Sequence, residues 1–269
     1  MSSASTSLQS ARPLALVTGA STGIGYAFVK LLAQEGYDVI AVARSIEPLL
    51  ALKEPLEALC GAALFPLSLD LTSPEAAQEL SAKVADQGRG LSLLINNAGF
   101  GTIGAFEAME RQDQLSMIDL NLRIVTELTH VFLPQLLQTK GGIINVASLS
   151  AFAPMPYMAV YGATKSYLLT FSKMLHHEVK PKGVIVTALC PGYTQSAFHE
   201  RAGVSKVKLP RVLPKETADS VAQKGFQAWK KGRVVIVPGL VNKLTALLAT
   251  PLAPLMRFVG KEADKRINP

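Results

Sequence analysis

The sequence is poor in cysteine, in charge and in long apolar runs. Cys60 and Cys190 are the only cysteines in 269 residues. Two thiols cannot staple a fold of this size, so a disulfide scaffold is excluded and a reducing compartment is the default. Charged side chains make up 17% of the chain and hydrophobic ones 49%. That balance excludes intrinsic disorder, because a chain this apolar offsets its ordering entropy by burying a core. The length suits one domain rather than two. The stretch 141–164 is charge-free but punctuated by Gly, Pro, Ser and Asn, and 244–256 is short and broken by Pro251 and Pro254. A bilayer span needs ~20 mostly apolar residues, so no transmembrane segment is expected. Residues 1–12 lack the basic and apolar regions of a signal peptide and read as a flexible tail, and a cytoplasmic location is the expectation.

Acidic residues are scarce only in the last quarter. Lys and Arg total 27 against 20 Asp and Glu, a net +7. Residues 1–200 hold 13 basic and 16 acidic side chains (net −3), and residues 201–269 hold 14 and 4 (net +10). The basic excess therefore belongs to one end. No aromatic-studded basic sheet or DNA-binding motif accompanies it, so no nucleic-acid partner is expected.

Apolar runs at 14–18, 38–43, 62–69, 91–96 and 142–146, and later ones at 184–189 and 234–237, alternate with helical patterns at 23–34, 46–59, 74–87, 110–138, 158–180 and 215–230. Short, thoroughly apolar strands separated by helices imply an α/β fold, a parallel sheet covered on both faces. Ligands of such doubly wound sheets bind just beyond the carboxyl ends of the strands, which directs attention to the segments there.

After the first run comes Thr18-Gly19-Ala20-Ser21-Thr22-Gly23-Ile24-Gly25, a strand-turn-helix. Its glycines permit a tight turn and close backbone approach, and the helix N-terminus offers N–H groups and a positive dipole to a pyrophosphate. The spacing is G-x-x-x-G-x-G, distinct from the general dinucleotide fingerprint. At the end of the second strand, where an acidic residue would meet an NAD ribose, stand Arg44 and Ser45. A guanidinium suits a 2′-phosphate, so NADP(H) is favoured and NAD(H) is the weaker expectation.

Tyr161 and Lys165 lie four apart in a helical pattern and share one face. An ammonium beside a phenol is expected to lower its pKa towards the operating pH, where it exchanges a proton with a carbonyl or alcohol. Ser148 closes the fifth strand, where its hydroxyl could hold the substrate oxygen beside that phenol. Asn96-Asn97-Ala98-Gly99 closes the fourth strand. Asn121 falls inside a helical pattern that disfavours it, which implies a polar task for its side chain or a distorted turn. By contrast, His176-His177 lacks partners at ligand spacing, so no metal site is expected. Cys190 reads as a small buried hydrophobe.

TGASTGIG at 18–25, NNAG at 96–99, Asn121, Ser148, Tyr161-x-x-x-Lys165 and Pro191-Gly192 stand in the order and spacing that resemble the short-chain dehydrogenase/reductase family, over residues 13 to about 238. That resemblance implies a single Rossmann-like domain over 13–238 with strand order 3-2-1-4-5-6-7, and hydride transfer between a nicotinamide and a carbonyl or alcohol. It casts Tyr161 as general acid/base and Ser148 as the orienting group. Lys165 would bind the nicotinamide ribose, and Asn121 would hold a water linked to Lys165. Gly19, Ser21, Thr22, Gly23, Ile24, Gly25, Arg44 and Ser45 would bind the cofactor, with Asp70 and Leu71 at the adenine. Asn97, Ala98 and Gly99 would line the adenosine, and Pro191, Gly192 and Thr194 the nicotinamide. Family members usually associate, so a homodimer or homotetramer is implied.

Phe100, Phe152, Met155, Met158, Tyr193 and Phe198 lie in segments expected to shape the substrate site, and they favour a hydrophobic ketone or aldehyde. Residues 194–233 are the expected lid region. A 3-oxoacyl thioester or steroid-type reductase, or a non-catalytic NADP-binding regulatory protein, are the alternative readings. Beyond 238 the resemblance fades, although bacterial DltE-like oxidoreductases look similar in carrying an apolar, basic extension. For 239–269 three readings stay open: a helix covering the sheet or lid, a subunit contact, and a peripheral membrane contact.

Overall fold

The computed structural model describes residues 12–153, 155–194 and 216–249. Within them the strands are β1 (Leu14–Thr18), β2 (Asp38–Ala43), β3 (Leu64–Ser68), β4 (Leu91–Asn96), β5 (Gly142–Val146), β6 (Ile185–Leu189) and β7 (Val235–Ile236). They form one sheet in the order β3-β2-β1-β4-β5-β6-β7, every pair parallel. This is the expected doubly wound, Rossmann-like arrangement. Every residue of β1, β2 and β5 is buried, as strands covered on both faces must be.

The helices are α1 (Gly23–Gln34), α2 (Glu47–Cys60), α3 (Ala76–Ala85), α4 (Arg111–Ile118), α5 (Ile124–Thr139), α6 (Ala159–Val179), α7 (Ala218–Lys230) and α8 (Leu240–Ala249). Because side chains alternate along a strand, Leu14 and Leu16 enter one core and Ala15 and Val17 the other. Leu80 of α3, Phe132 of α5 and Leu168 of α6 fill the first. Phe28 of α1, Leu49 of α2 and Phe226 of α7 fill the second.

Two expectations change here. The single helix expected over 110–138 is α4 and α5 joined by one π turn, Asp119–Arg123, with Asn121 fully buried inside it. A π turn is rare and often marks a functional site, and here it accommodates the polar residue that helix propensity disfavoured. The expected lid region 194–233 also contracts: α7 is a core helix, with Val221, Ala222 and Phe226 buried against the sheet and α1. Phe198, the remainder of that lid over 195–215, the tail over 1–11 and the last part of the extension, 250–269, lie outside the described residues.

Candidate active site

β1 and β4 are neighbours although two strands and three helices lie between them in the chain, so the sheet's connectivity reverses there. Loops leaving their carboxyl ends diverge there and open a crevice. Thr18, the last residue of β1, ties the two loops together. Its hydroxyl donates to the Ile95 carbonyl at 3.2 Å and accepts from the amides of Asn97 and Ala98 at 3.0 Å each. The Asn97 side-chain amide returns the tie, donating to the carbonyls of Thr18 (2.9 Å) and Gly19 (3.0 Å).

Two glycines set the contour of the first loop. Gly19 has φ +63°, and a Cβ there would lie 2.8 Å from Ala98 Cα. A Cβ on Gly25 would lie 2.2 Å from the Gly19 carbonyl oxygen, so only glycine lets α1 press this closely on the loop. Thr22 precedes α1 without capping it, and the first turn carries no acid. The first-turn amides and the positive helix end are therefore available to an anion. Ser21, Gly23 and Ile24 are half-buried along this loop and Thr22 is exposed. This glycine cradle fits the pyrophosphate of a dinucleotide.

Arg44 and Ser45 are exposed at the end of β2, where the Arg44 carbonyl accepts from the Ser68 hydroxyl at 3.1 Å. Asp70 lies at the same corner. Its carboxylate accepts from the amide (2.9 Å) and hydroxyl (2.8 Å) of Thr72. Those bonds, assisted by the charge of Arg44, hold its carboxyl below the usual range. Leu71, next to it, is buried with its side chain in the core, which leaves its backbone to meet an adenine.

On the other side of the crevice, β5 ends in Ser148, whose hydroxyl accepts from Ser150 N at 3.2 Å and starts the short turn Leu149–Ala151. α6 then brings in Tyr161 and Lys165, 7% and 5% exposed. The ring of Tyr161 lies against the backbone of Gly101, where a Cβ would fall 2.7 Å from it. Burial raises the phenol's pKa above its ordinary value, and the facing hydroxyls of Ser148 and Ser150 draw it back part of the way. Lys165 is itself pushed down to about 8 by burial. These directions correct the expectation that the ammonium lowers the phenol. The Lys165 Nζ donates to the Val146 carbonyl at 2.9 Å and lies 5.8 Å from the centre of the Tyr161 ring.

Asn121 is held by its whole amide. Its Nδ2 donates to the Phe100 carbonyl (2.9 Å) and the Thr164 hydroxyl (3.2 Å), and its Oδ1 accepts from Phe100 N at 3.1 Å. It clamps the loop after β4 to α6, and Gly99 passes close enough that a Cβ would meet Asn121 Oδ1 at 2.7 Å and Lys165 Nζ at 3.4 Å. With both donors of the side chain committed, an Asn121-bound water would meet the second lone pair of Oδ1 or the backbone.

The nicotinamide-side turn follows β6. Pro191 is buried and its carbonyl accepts from Leu149 N at 2.8 Å, which joins this turn to the Ser148 turn. Thr194 is buried and pairs with Glu216 in an isolated parallel bridge. Gly192 packs on Asn242 of α8, whose amide nitrogen a Cβ on Gly192 would approach to 2.5 Å. Cys190 is buried with its thiol pushed up to about 12, which makes it inert. His176 Nδ1 is 2.8 Å from the Val186 carbonyl, and among the described residues no group of three or more potential metal ligands exists.

Of the residues expected to meet substrate, Phe100 is half-buried and bound to Asn121 through its backbone N–H and carbonyl, and Tyr193 is half-buried beside the Gly192 turn. Phe152, Met155 and Met158 lie together. They line a groove of about 610 Å³ with Ala159, Gly162, Ala163 and Ser166, a lining that includes neither Ser148 nor Tyr161. Those α6 positions lie on a different helix face from Tyr161 and Lys165. Sequence reasoning missed Thr18, Gly101, Ser150 and Asn242. A threonine closing β1 before a Gly-rich turn was the available signal for the first, and nothing marked the others.

The sequence profile of the short chain dehydrogenase family matches residues 13–205. The chain belongs to the short-chain dehydrogenase family. Serine 3-dehydrogenase of Rhizobium radiobacter is 36% identical to it over 68% of this chain and 72% of its own. A short-chain dehydrogenase from Sphingobium yanoikuyae, solved in complex with NADPH, shares 31% identity with a TM-score of 0.78, covering 90% of this chain and 95% of that one. The bulky-bulky ketone specific alcohol dehydrogenase of Comamonas testosteroni shares 28% identity with a TM-score of 0.75, covering 91% and 94%. This short-chain dehydrogenase is accordingly an oxidoreductase that uses a nicotinamide nucleotide, and the glycine cradle is the part of its surface suited to the pyrophosphate.

Proposed function

We propose that the protein is an NADP(H)-dependent oxidoreductase that interconverts a carbonyl with apolar substituents and its alcohol. The observation that carries this reading is the buried phenol of Tyr161 facing the Ser148 hydroxyl, one helical turn from Lys165. A bound nicotinamide supplies the hydride, or accepts it in the reverse direction. Tyr161 donates its proton to the carbonyl oxygen as negative charge develops there, and Ser148 donates a second hydrogen bond to the same oxygen. Lys165, held at about 8, lies near neutral pH and can supply charge beside the phenol as its proton leaves. Asn121 keeps the loop after β4 seated on α6, so that Gly99 and Gly101 hold their places against Lys165 and Tyr161. Arg44 and Ser45, exposed at the end of β2, would read the 2′-phosphate, and the cradle at 19–25 would hold the pyrophosphate.

An apolar substrate is supported by Phe100 and Tyr193 at the crevice and by the similarity to a dehydrogenase specific for bulky ketones. Lys165 is the one formal charge among the named groups around the phenol, which disfavours a strongly ionic substrate. The test is NADPH absorbance followed over ketones, aldehydes, 3-oxoacyl thioesters and steroids, with wild type and Tyr161→Phe. Turnover of an apolar carbonyl that disappears in the variant, with NADPH binding retained, is expected. Undiminished turnover by the variant would remove Tyr161 from the proton-donor role.

A further inference from the structure

Helix α8 wears its apolar side outward. Asn242 and Ala249 are buried against the body and Ala246 is half-buried, whereas Leu240, Val241, Leu244, Leu247 and Leu248 are 78%, 51%, 58%, 73% and 48% exposed. At about 100° per residue the outward five fall within an arc of about 120°. Lys243 and Thr245 flank that arc on either side. Single exposed aliphatic residues are ordinary, but a contiguous strip of five on one helix marks an interaction surface.

Basic charge predominates around the strip: the Glu216 carboxylate lies beside Gly239 at the start of α8 but is paired with Lys224. Residues 220–249 contain Lys224, Lys230, Lys231, Arg233 and Lys243 and no Asp or Glu. Lys224 pairs with Glu216 and Lys230 with Glu35, while Lys231, Arg233 and Lys243 have no acidic partner among the described residues. We propose that α8 lies in the plane of an anionic lipid bilayer, with its five aliphatic side chains among the acyl chains and Lys243 at the headgroups. No described helix is long and apolar enough to cross a membrane, so the contact is with one leaflet surface. A second copy of the chain fits less well. A two-fold contact would oppose Lys243 to the same surface, whose neighbouring carboxylate, Glu216, is already paired with Lys224, and the strip has none of the Trp, Tyr or Arg residues that anchor protein interfaces. An aliphatic strip edged by cations matches anionic lipid on both counts. The buried side of the same helix holds Asn242 against Gly192, so the membrane would run beside the nicotinamide-side turn. The proposal does not depend on which carbonyl is reduced.

The test is flotation of the full-length protein with phosphatidylcholine vesicles, with and without phosphatidylserine. Flotation with the anionic vesicles, weakened by added salt, is expected, and Lys243→Gln should lower binding about fivefold. Leu244→Asp with Leu247→Asp should lower it at least tenfold without changing thermal unfolding, since both side chains are exposed. Leu59→Asp, at a residue 77% exposed on α2, should leave it unchanged. Protein that stays unbound with anionic vesicles overturns the proposal. If such protein is a dimer that the double variant splits, a second copy covers the strip; if it is a monomer, another part of the chain does. Flotation that survives the double variant also overturns it.

Discussion

Replacing Lys165 by Met should make the nucleotide-free protein more stable at neutral pH while ending turnover. The lysine is 5% exposed, and its pKa is about 8 against an ordinary 10.5. At 1.36 kcal/mol per pH unit, this difference amounts to about 3 kcal/mol that the folded state gives up by keeping the side chain charged. The sign follows from proton counting. Between pH 8 and 10.5 the unfolded chain binds the lysine proton more tightly than the folded one, so stability rises with pH through that window, and the full cost is present below pH 8. Methionine is of similar length and carries no charge, but it forfeits the bond to the Val146 carbonyl, worth about 1 kcal/mol. A net gain of about 2 kcal/mol at pH 7 should raise Tm by roughly 4 to 8 °C. Above pH 10.5 the gain should vanish and leave a deficit of about 1 kcal/mol. Thermal and urea unfolding of wild type and variant at pH 7 and pH 10.5 would measure this. A variant equally stable or less stable than wild type at pH 7 would refute the claim that burial governs this lysine.

Other perturbations probe the cradle and the cofactor. Gly25→Ala places a methyl 2.2 Å from the Gly19 carbonyl and 2.5 Å from Asn97 Nδ2, so it should cost about 1–3 kcal/mol and weaken nucleotide binding, read by unfolding and by nucleotide titration. Gly162→Ala, on α6 with nothing within 4 Å of the new carbon, should instead stabilise by about 0.5–1 kcal/mol in the same unfolding assay. Arg44→Asp should shift preference from NADPH towards NADH in steady-state kinetics, and unchanged selectivity would show that other groups read the 2′-phosphate.

Much of the scaffold was legible because apolar runs and helical patterns have different periods. β1, β2, β4 and β5 begin and end where the runs do, and α1 where its pattern does. The 62–69 run was too generous, since only Leu64–Ser68 pairs with β2. Asn121 was readable as an anomaly, and the π turn is its physical resolution. The mutual ties of Thr18, Asn97 and Ala98 were not readable, because they join residues about 80 positions apart in the chain. Phe152, Met155 and Met158 share one groove, and nearness in sequence to Ser148 and Tyr161 could not show which other side chains would line it with them. The pKa of Lys165 depends on burial, which spacing cannot supply. α8 inverted the usual rule, since an apolar strip normally faces the core and this one faces outward.

The bridge between Thr194 and Glu216 has an evolutionary consequence. It holds Thr194 and Glu216, the residues on either side of 195–215, side by side next to the Gly192 turn. Closing a connection between ends already joined depends weakly on its length, about 0.6 kcal/mol per doubling. Changes of length between those two residues should therefore be tolerated through evolution at little cost in stability, because the residues that bound the connection are already paired.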